Sequence, residues 1–549
     1  MTRILRVLPA ALLGLGLVAA PRVASANGFE FPSNGTESFG RGSAWLARAT
    51  DPLATFYNPA ALARNGNAAS ITGNLIWQKA CFQRRDGGSD PVANGVLAGN
   101  SEQLYRQTCN DGDAFVNPQL ALQFRLSEKL GIGVAVMGPS AYGKTSWPTF
   151  ASNTSLKGST LGQPVRGPAG SRYLLTAVDN LLVWPQIAIG YEVTRNVRLG
   201  ASLIWGIASL EFGNVSMGAV SSQTKNPDGR INEASDQDVN ARITAKDWFV
   251  PGFVLSALVT PVDTATSGVD VAAWFHWSDA VKASGKADLS AFVYDKNTLQ
   301  EYTSVAANTP SRVVTGDNGV TIRAPQPWEL RVGGRYYQKR RPADDCLNGV
   351  CPEKSRRGLD PLRDEVFDVE LDLEYSHDSQ FDTLGVTFAQ PTPVLRPGIT
   401  ADSPNGIPIS IPVDASVRHN WKDSFGVRLG GDFAVVPERF ALRAGAWYQS
   451  AFVDAKDMHV DFIGAERLAL TAGLTARVVQ SIPVDIQLGY EHIFFKTLDN
   501  KGQGSIHANG TGQSSVPGTP FGRSGYAVNG GKIQAKADIL SLGVVVRWP

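Results

Sequence analysis

No stretch of this chain holds 18 consecutive apolar residues, yet apolar and polar side chains alternate with period two along much of its length. That combination constrains the fold most. A helical membrane span needs about 20 apolar residues in a row, so none is expected. Period two belongs to strands, whose successive side chains point to opposite faces. From Glu365 to Ser376, the side chains of Phe367, Val369, Leu371, Leu373 and Tyr375 share one face, and those of Asp368, Glu370, Asp372, Glu374 and Ser376 the other. Near the C-terminus, Leu540, Leu542, Val544, Val546 and Trp548 alternate with Ser541, Gly543, Val545 and Arg547. Fourteen such candidates occur, at 68–80, 113–126, 129–146, 174–193, 197–213, 244–260, 268–285, 326–338, 365–380, 423–435, 439–453, 466–480, 483–497 and 533–549.

Alternation alone fits a soluble sandwich as well as a membrane barrel. Two features favour the barrel. Arg331, Arg335, Arg428, Asp432, Arg443, Arg477, Asp485 and Glu491 all occupy the less apolar register of their strands. Both signs recur there, as pairing across an enclosed lumen requires. The connections also sort by parity. Short ones (Ser127-Glu128, Thr194 to Asn196, Pro261 to Ser267, Val436 to Glu438, Ser481-Ile482) alternate with long ones, the pattern of periplasmic turns and external loops. Arg340 to Asp364 breaks the rule, being long where a turn is expected. Trp77, Trp184, Trp205, Trp274, Trp277, Trp328, Tyr375, Tyr490 and Trp548 are read as an interfacial aromatic belt. The expected fold is all-β, a 14-stranded antiparallel transmembrane barrel over residues 67–549.

The N-terminus agrees with export. Arg3 and Arg6 precede an apolar stretch from Leu8 to Ala20, and Ala24-Ser25-Ala26 is a small-residue cleavage site, so residues 1–26 read as a signal peptide. A net charge of +1 gives no reason to expect nucleic acid. The four cysteines form two local pairs, Cys81 with Cys109 and Cys346 with Cys351, expected as disulfides in an oxidising compartment. A zinc site is the rival reading, but no histidine stands at ligand spacing beside either pair. Neither cofactor nor metal is expected.

Residues 27–66 precede the first strand and show no sustained alternation. Gly28, Gly35, Gly40 and Gly42 lead into a helix-compatible run, Ser43 to Arg48. Asn58, Pro59 and Ala60 then read as a cap and first turn, with Asn58 able to cap and Pro59 suited to the first helical position. A short, partly helical leader before a barrel is most simply a plug, a hatch in the lumen.

The blocks NGFEFPSNGTESFGRGSAWLARATDPLATFYNPAALA (27–63), NLLVWPQIAIGYEVTRNVRLGASLIWG (180–206) and HNWKDSFGVRLGGDFAVVPERFALRAGAWYQ (419–449) resemble the FadL-type outer-membrane transporters of long-chain fatty acids and other hydrophobic compounds. The resemblance runs over the mature chain and is loose in the long loops. It implies a fourteen-stranded barrel with an internal hatch, a bacterial outer-membrane location and passive uptake by a monomer. Capture in an external groove would be followed by hatch rearrangement and lateral exit beside a kinked third strand. Partners would be a long-chain fatty acid or another hydrophobic small molecule, with lipid and lipopolysaccharide around the barrel. Onto this chain it maps Phe212, Val215, Met217, Val220, Phe292, Val293 and Tyr294 as groove contacts, and Phe29 as an internal one. In the third strand, Leu130 to Trp147, it maps Gly138, Pro139 and Ser140 as the lateral opening; a strand that simply ends there is the alternative. Arg428 or Arg443 would either meet a carboxylate or pair with a lumen acid.

Three rival functions are weaker. A lipid hydrolase needs a nucleophile beside a base, but in Ser376-His377-Asp378 consecutive side chains diverge, and Gly138 to Tyr142 misses G-x-S-x-G at its last position. No catalytic residue is expected. A general porin would have no leader plug. The acids of Lys225 to Asp238 do not form an EF-hand loop.

Overall fold

The computed structural model describes residues 34–85, 105–139, 144–153, 165–216, 239–291, 294–295, 300–301, 319–340, 358–389, 392–395, 408–411, 413–479, 483–507 and 527–548. Fourteen antiparallel strands form the wall: β1 Asn67–Arg84, β2 Phe115–Arg125, β3 Leu130–Met137, β4 Leu181–Thr194, β5 Val197–Ser216, β6 Val239–Asp263, β7 Ser267–Ser278, β8 Glu329–Lys339, β9 Glu365–Ser376, β10 Ser424–Val436, β11 Phe440–Gln449, β12 Arg467–Val479, β13 Val484–Phe495 and β14 Gly531–Trp548. Each pairs with the next in the chain. The wall closes where β1 meets β14, in register from Asn67↔Trp548 to Arg84↔Gly531. Closure matters physically. A barrel leaves no edge of unpaired backbone groups, which lipid could not satisfy.

Two halves of each strand have opposite surroundings. On β9, Val369, Leu371 and Leu373 point outward and are exposed, whereas Asp368, Glu370, Asp372 and Glu374 point inward and are buried. Outward apolar side chains recur around the wall, for example Ile71, Leu120, Ile187, Leu203, Leu470 and Leu542. A soluble protein rarely exposes an apolar patch of more than a few hundred Å². Here the apolar band girdles the barrel, as expected of a surface solvated by lipid. No helix among the described residues is long and apolar enough to cross a membrane.

Two members of the expected belt face inward instead. Trp184 and Trp274 are buried because each lies in the lumen register of its strand, with Gln186 and Ala188 on β4 and with Ala272 and His276 on β7.

The long connection before β9 has a definite end. Its described part, residues 358–364, includes the helical turn α1, Pro361–Asp364. It lies against the start of the barrel: Leu359 N–H donates to Arg64 O (3.1 Å) and Asn65 bridges to Leu359. Cys346 and Cys351 lie outside the described residues. Cys81 and Cys109 stand opposite each other and are bonded through sulfur. The bond ties the far end of β1 to the short strand Thr108–Cys109.

Candidate functional site

The lumen divides into two chemically distinct sectors. Strands β3 to β7 turn apolar side chains inward: Met137, Leu182, Trp184, Leu210, Val254 and Trp274 are all buried. Strands β8 to β11 turn charges inward. Arg331 meets Glu374 (2.6 Å) and Glu329 (3.0 Å), Arg428 also binds Glu374, and Arg335 binds Asp368 (2.6 Å) and Glu365. These ions are screened from water, so each charge depends on its partners. Removing one from such a buried pair costs about 3–5 kcal/mol.

Residues Asn34 to Ala63 are almost entirely buried and lie within the cylinder. They form the helical turns Thr36–Gly40 and Ala54–Tyr57 and the 3₁₀ turn Pro59–Ala63. The segment presents a different chemistry to each sector. Toward β9 and β10, Arg41 bonds Asp368 (2.8 Å) and Asp432 (3.0 Å), and Arg48 bonds Asp368 (3.0 Å), Asp432 (3.1 Å) and Glu37 (2.6 Å). The N–H groups of Trp45 and Leu46 donate to Asp372, and those of Ala47 and Arg48 donate to Glu370. Four consecutive N–H groups are thus clasped by two wall carboxylates. Toward β4 and β7, Phe56 stacks on Trp184 (5.4 Å between centroids) and meets Trp274 edge-on (5.4 Å), whose indole donates to Phe56 O (2.7 Å). Aromatic packing of this kind adds about 0.5–1.5 kcal/mol per pair beyond area burial.

The wall admits this backbone only where it lacks side chains. A methyl group on Gly200 would stand 2.1 Å from the Ala60 nitrogen, and one on Gly430 would collide with Arg41 O. Asn58, expected to cap with its side chain, makes no capping bond. Its amide instead donates to Leu46 O (2.7 Å), holding two turns of the segment together. Pro59 occupies the first position of the 3₁₀ turn and Ala60 N–H donates to Ser256 on β6 (2.9 Å).

A window opens in the ladder beside the apolar sector. Strand β3 ends at Met137, short of the expected span to Trp147, and its pairing with β2 stops at Leu120↔Val136. Residues Phe115 to Gln119 of β2 keep partners on β1 but have none on the other side among the described residues. Farther along, Asp111 N–H donates to Ser146 O (2.7 Å) and the strand Lys144–Ser146 pairs with Ala177–Asp179, so the wall resumes. Two prolines border the window, Pro118 in β2 and Pro139 just after β3. Proline has no N–H to donate to a ladder. Asn34 spans the window from within. Its amide donates to Gly138 O (2.7 Å), and its side-chain oxygen accepts from Asn117 (2.8 Å) and Gln119 (3.2 Å). Pro118, Asn117 and Asn34 carried no expectation from sequence. A proline inside an alternating strand was the available signal for the first; the other two meet across 83 residues.

The remaining sequence candidates divide. Phe212 and Val215 are buried beneath the segment Arg172 to Val178, and Val215 N–H donates to Arg172 O (3.0 Å). Tyr294 lies in a two-residue strand paired with Gln300–Glu301. Phe29, Ser140, Met217, Val220, Phe292 and Val293 lie outside the described residues. Arg428 is held by Glu374, and Arg443 by Asp432 (3.3 Å) and Thr475. Ser376 donates to Asp378 (3.0 Å), while His377 Nδ1 contacts Asp423 (2.9 Å) and Ser379 (3.4 Å) through one nitrogen. A base that relays a proton uses opposite nitrogens for its acid and its nucleophile, so this group is not arranged as a triad.

No protein-family profile matches the chain, and no curated protein matches it in sequence. Solved structures do match in fold. A Pseudomonas aeruginosa FadL homologue aligns over 95% of this chain and 100% of its own, at 16% identity and TM-score 0.60. The P. putida toluene transporter TodX aligns over 95% and 99% respectively, at 12% identity and TM-score 0.52.

Proposed function

With the FadL-type barrel fold as premise, we propose that the chain is a passive outer-membrane conduit for hydrophobic molecules, with long-chain fatty acids as its substrate class. The observation that carries this reading is the apolar lumen sector, which runs from Phe212 past Trp184 to Met137 and ends at the window. An apolar solute gains nothing by entering a watery pore. It gains about 25 cal/mol per Å² by moving along apolar walls instead, and a lateral exit delivers it to lipid without crossing a wet periplasmic mouth. The ionised sector has the complementary task of anchoring the leader, residues 27–66, as a hatch. Gly138 and Pro139 form one side of the exit.

Hydrocarbons are the second reading, because the same apolar sector suits toluene-sized and alkane substrates. A general porin is disfavoured, since residues 34–65 occupy the lumen. Reconstitution into vesicles with a substrate panel tests the proposal. Uptake of oleate is expected to exceed that of toluene and hexadecane, with negligible sugar flux. Large steady currents of polar ions in planar bilayers, without uptake of any hydrophobic probe, would contradict it.

A further inference from the structure

Beyond the wall strands, one buried cluster leaves a histidine nitrogen unpartnered among the described residues. His419 precedes β10, and His459 and Asp461 lie in the connection between β11 and β12. Both connections belong to the end of the barrel that carries the long loops. The three side chains are buried, and their inward ligand atoms lie within 4.8 Å of one another. Among the described residues this is the only such group of three.

Tautomers decide what the cluster lacks. His419 Nδ1 contacts Val417 O (3.2 Å), and His459 Nε2 contacts Arg418 O (3.0 Å). A carbonyl only accepts, so each of these nitrogens carries the ring proton. The opposite nitrogens then present lone pairs. His419 Nε2 points at Asp461 Oδ2 (2.8 Å), and His459 Nδ1 stands 3.8 Å from Asp461 Oδ1. His459 Nδ1 has no hydrogen-bond partner among the described residues. Leaving a buried nitrogen such as His459 Nδ1 unsatisfied costs about 1–3 kcal/mol.

We propose that His419 Nε2, His459 Nδ1 and the Asp461 carboxylate form a site for a borderline divalent transition-metal ion of the Zn²⁺ class. Two imidazoles and a carboxylate are a common zinc donor set. Their remaining N–H groups donate to backbone carbonyls, the outer support that metal-binding histidines characteristically have. Calcium and magnesium prefer all-oxygen sites. Ligands about 2.1 Å from a tetrahedral ion stand about 3.4 Å apart, so His459 needs only a small inward shift. Phe381, Trp421 and Phe462 pack around the cluster and shield it from bulk solvent. One enclosed water would complete a tetrahedral set, and the ion would clamp the two connections together.

Tag-free full-length protein in detergent, stripped with chelator and dialysed, is titrated with Co²⁺ and Zn²⁺. One equivalent of Co²⁺ per chain is expected to give the visible bands of a four-coordinate site, Zn²⁺ is expected to displace it, and Zn²⁺ is expected to raise Tm. H459F keeps an aromatic ring in the stack but offers no ligand, and D461N keeps the shape. Both are expected to weaken binding by more than about 100-fold while retaining the heat-modifiable gel shift of a folded barrel. No stoichiometric binding to the wild-type protein, or binding unchanged in both folded variants, overturns the proposal and leaves a His419–Asp461 hydrogen bond in its place.

Discussion

The two halves of the lumen solve different problems with one strand pattern. Between β8 and β11 the inward positions are Arg, Asp and Glu, and the leading segment is fixed there by ion pairs and clasped N–H groups. Between β3 and β7 they are largely Met, Leu, Val and Trp, and the same segment packs against them with fewer polar ties, to Ser256, Trp274 and Asp270. Buried ion pairs fail abruptly when one partner is lost, whereas apolar contacts are non-directional and exchangeable. In the proposed function, the segment is therefore best hinged on the charged side and released on the apolar side. The window lies beside the apolar side, next to β3.

That contrast can be broken at several levels. The largest effect is expected from Asp368→Ala, which removes a carboxylate shared by Arg41, Arg48 and Arg335. A loss of about 3–5 kcal/mol should loosen the segment, visible as new protease cleavage and larger ion currents. Gly200→Val places a side chain where Pro59 and Ala60 pass. Its overpacking cost of about 1–3 kcal/mol should lower Tm and uptake without opening an ion path. Asn34→Ala removes the bridge to Gly138, Asn117 and Gln119. About 1 kcal/mol of lost bonding should raise hydrophobic uptake several-fold while leaving Tm nearly unchanged. Leu203→Ala, on the lipid face, is expected to change Tm and uptake least, within about 0.5 kcal/mol.

The wall was legible in the sequence because alternation is local. All fourteen candidates correspond to wall strands, and the ionised register of Glu365 to Ser376 falls inside the barrel. The errors lie where parity or long-range pairing decides. Trp184 and Trp274 were grouped with interfacial rings by residue type, although their register with Ala188 and Ala272 placed them inward. The third strand was drawn through Gly138-Pro139 to Trp147, but the ladder stops at Met137 and the later piece, Lys144–Ser146, pairs elsewhere. Asn34 with Asn117, and His419 with His459, meet only through closure of the barrel or packing of two connections. No spacing rule reaches across those separations. The leader was half legible: its short, partly helical character implies a plug, but the partners of Arg41 and Arg48 require the fold.

The central claim is that apolar cargo leaves through the window when Asn34 withdraws from it. The direct measurement is oleate uptake by vesicles carrying Asn34→Cys with Asn117→Cys, joined by a short thiol cross-linker and then released by mild reduction, with each single variant treated identically. The account expects uptake to fall to background when the pair is joined and to return on release, while the same treatment leaves each single variant at its own untreated level. Unimpaired uptake by the joined protein would contradict it.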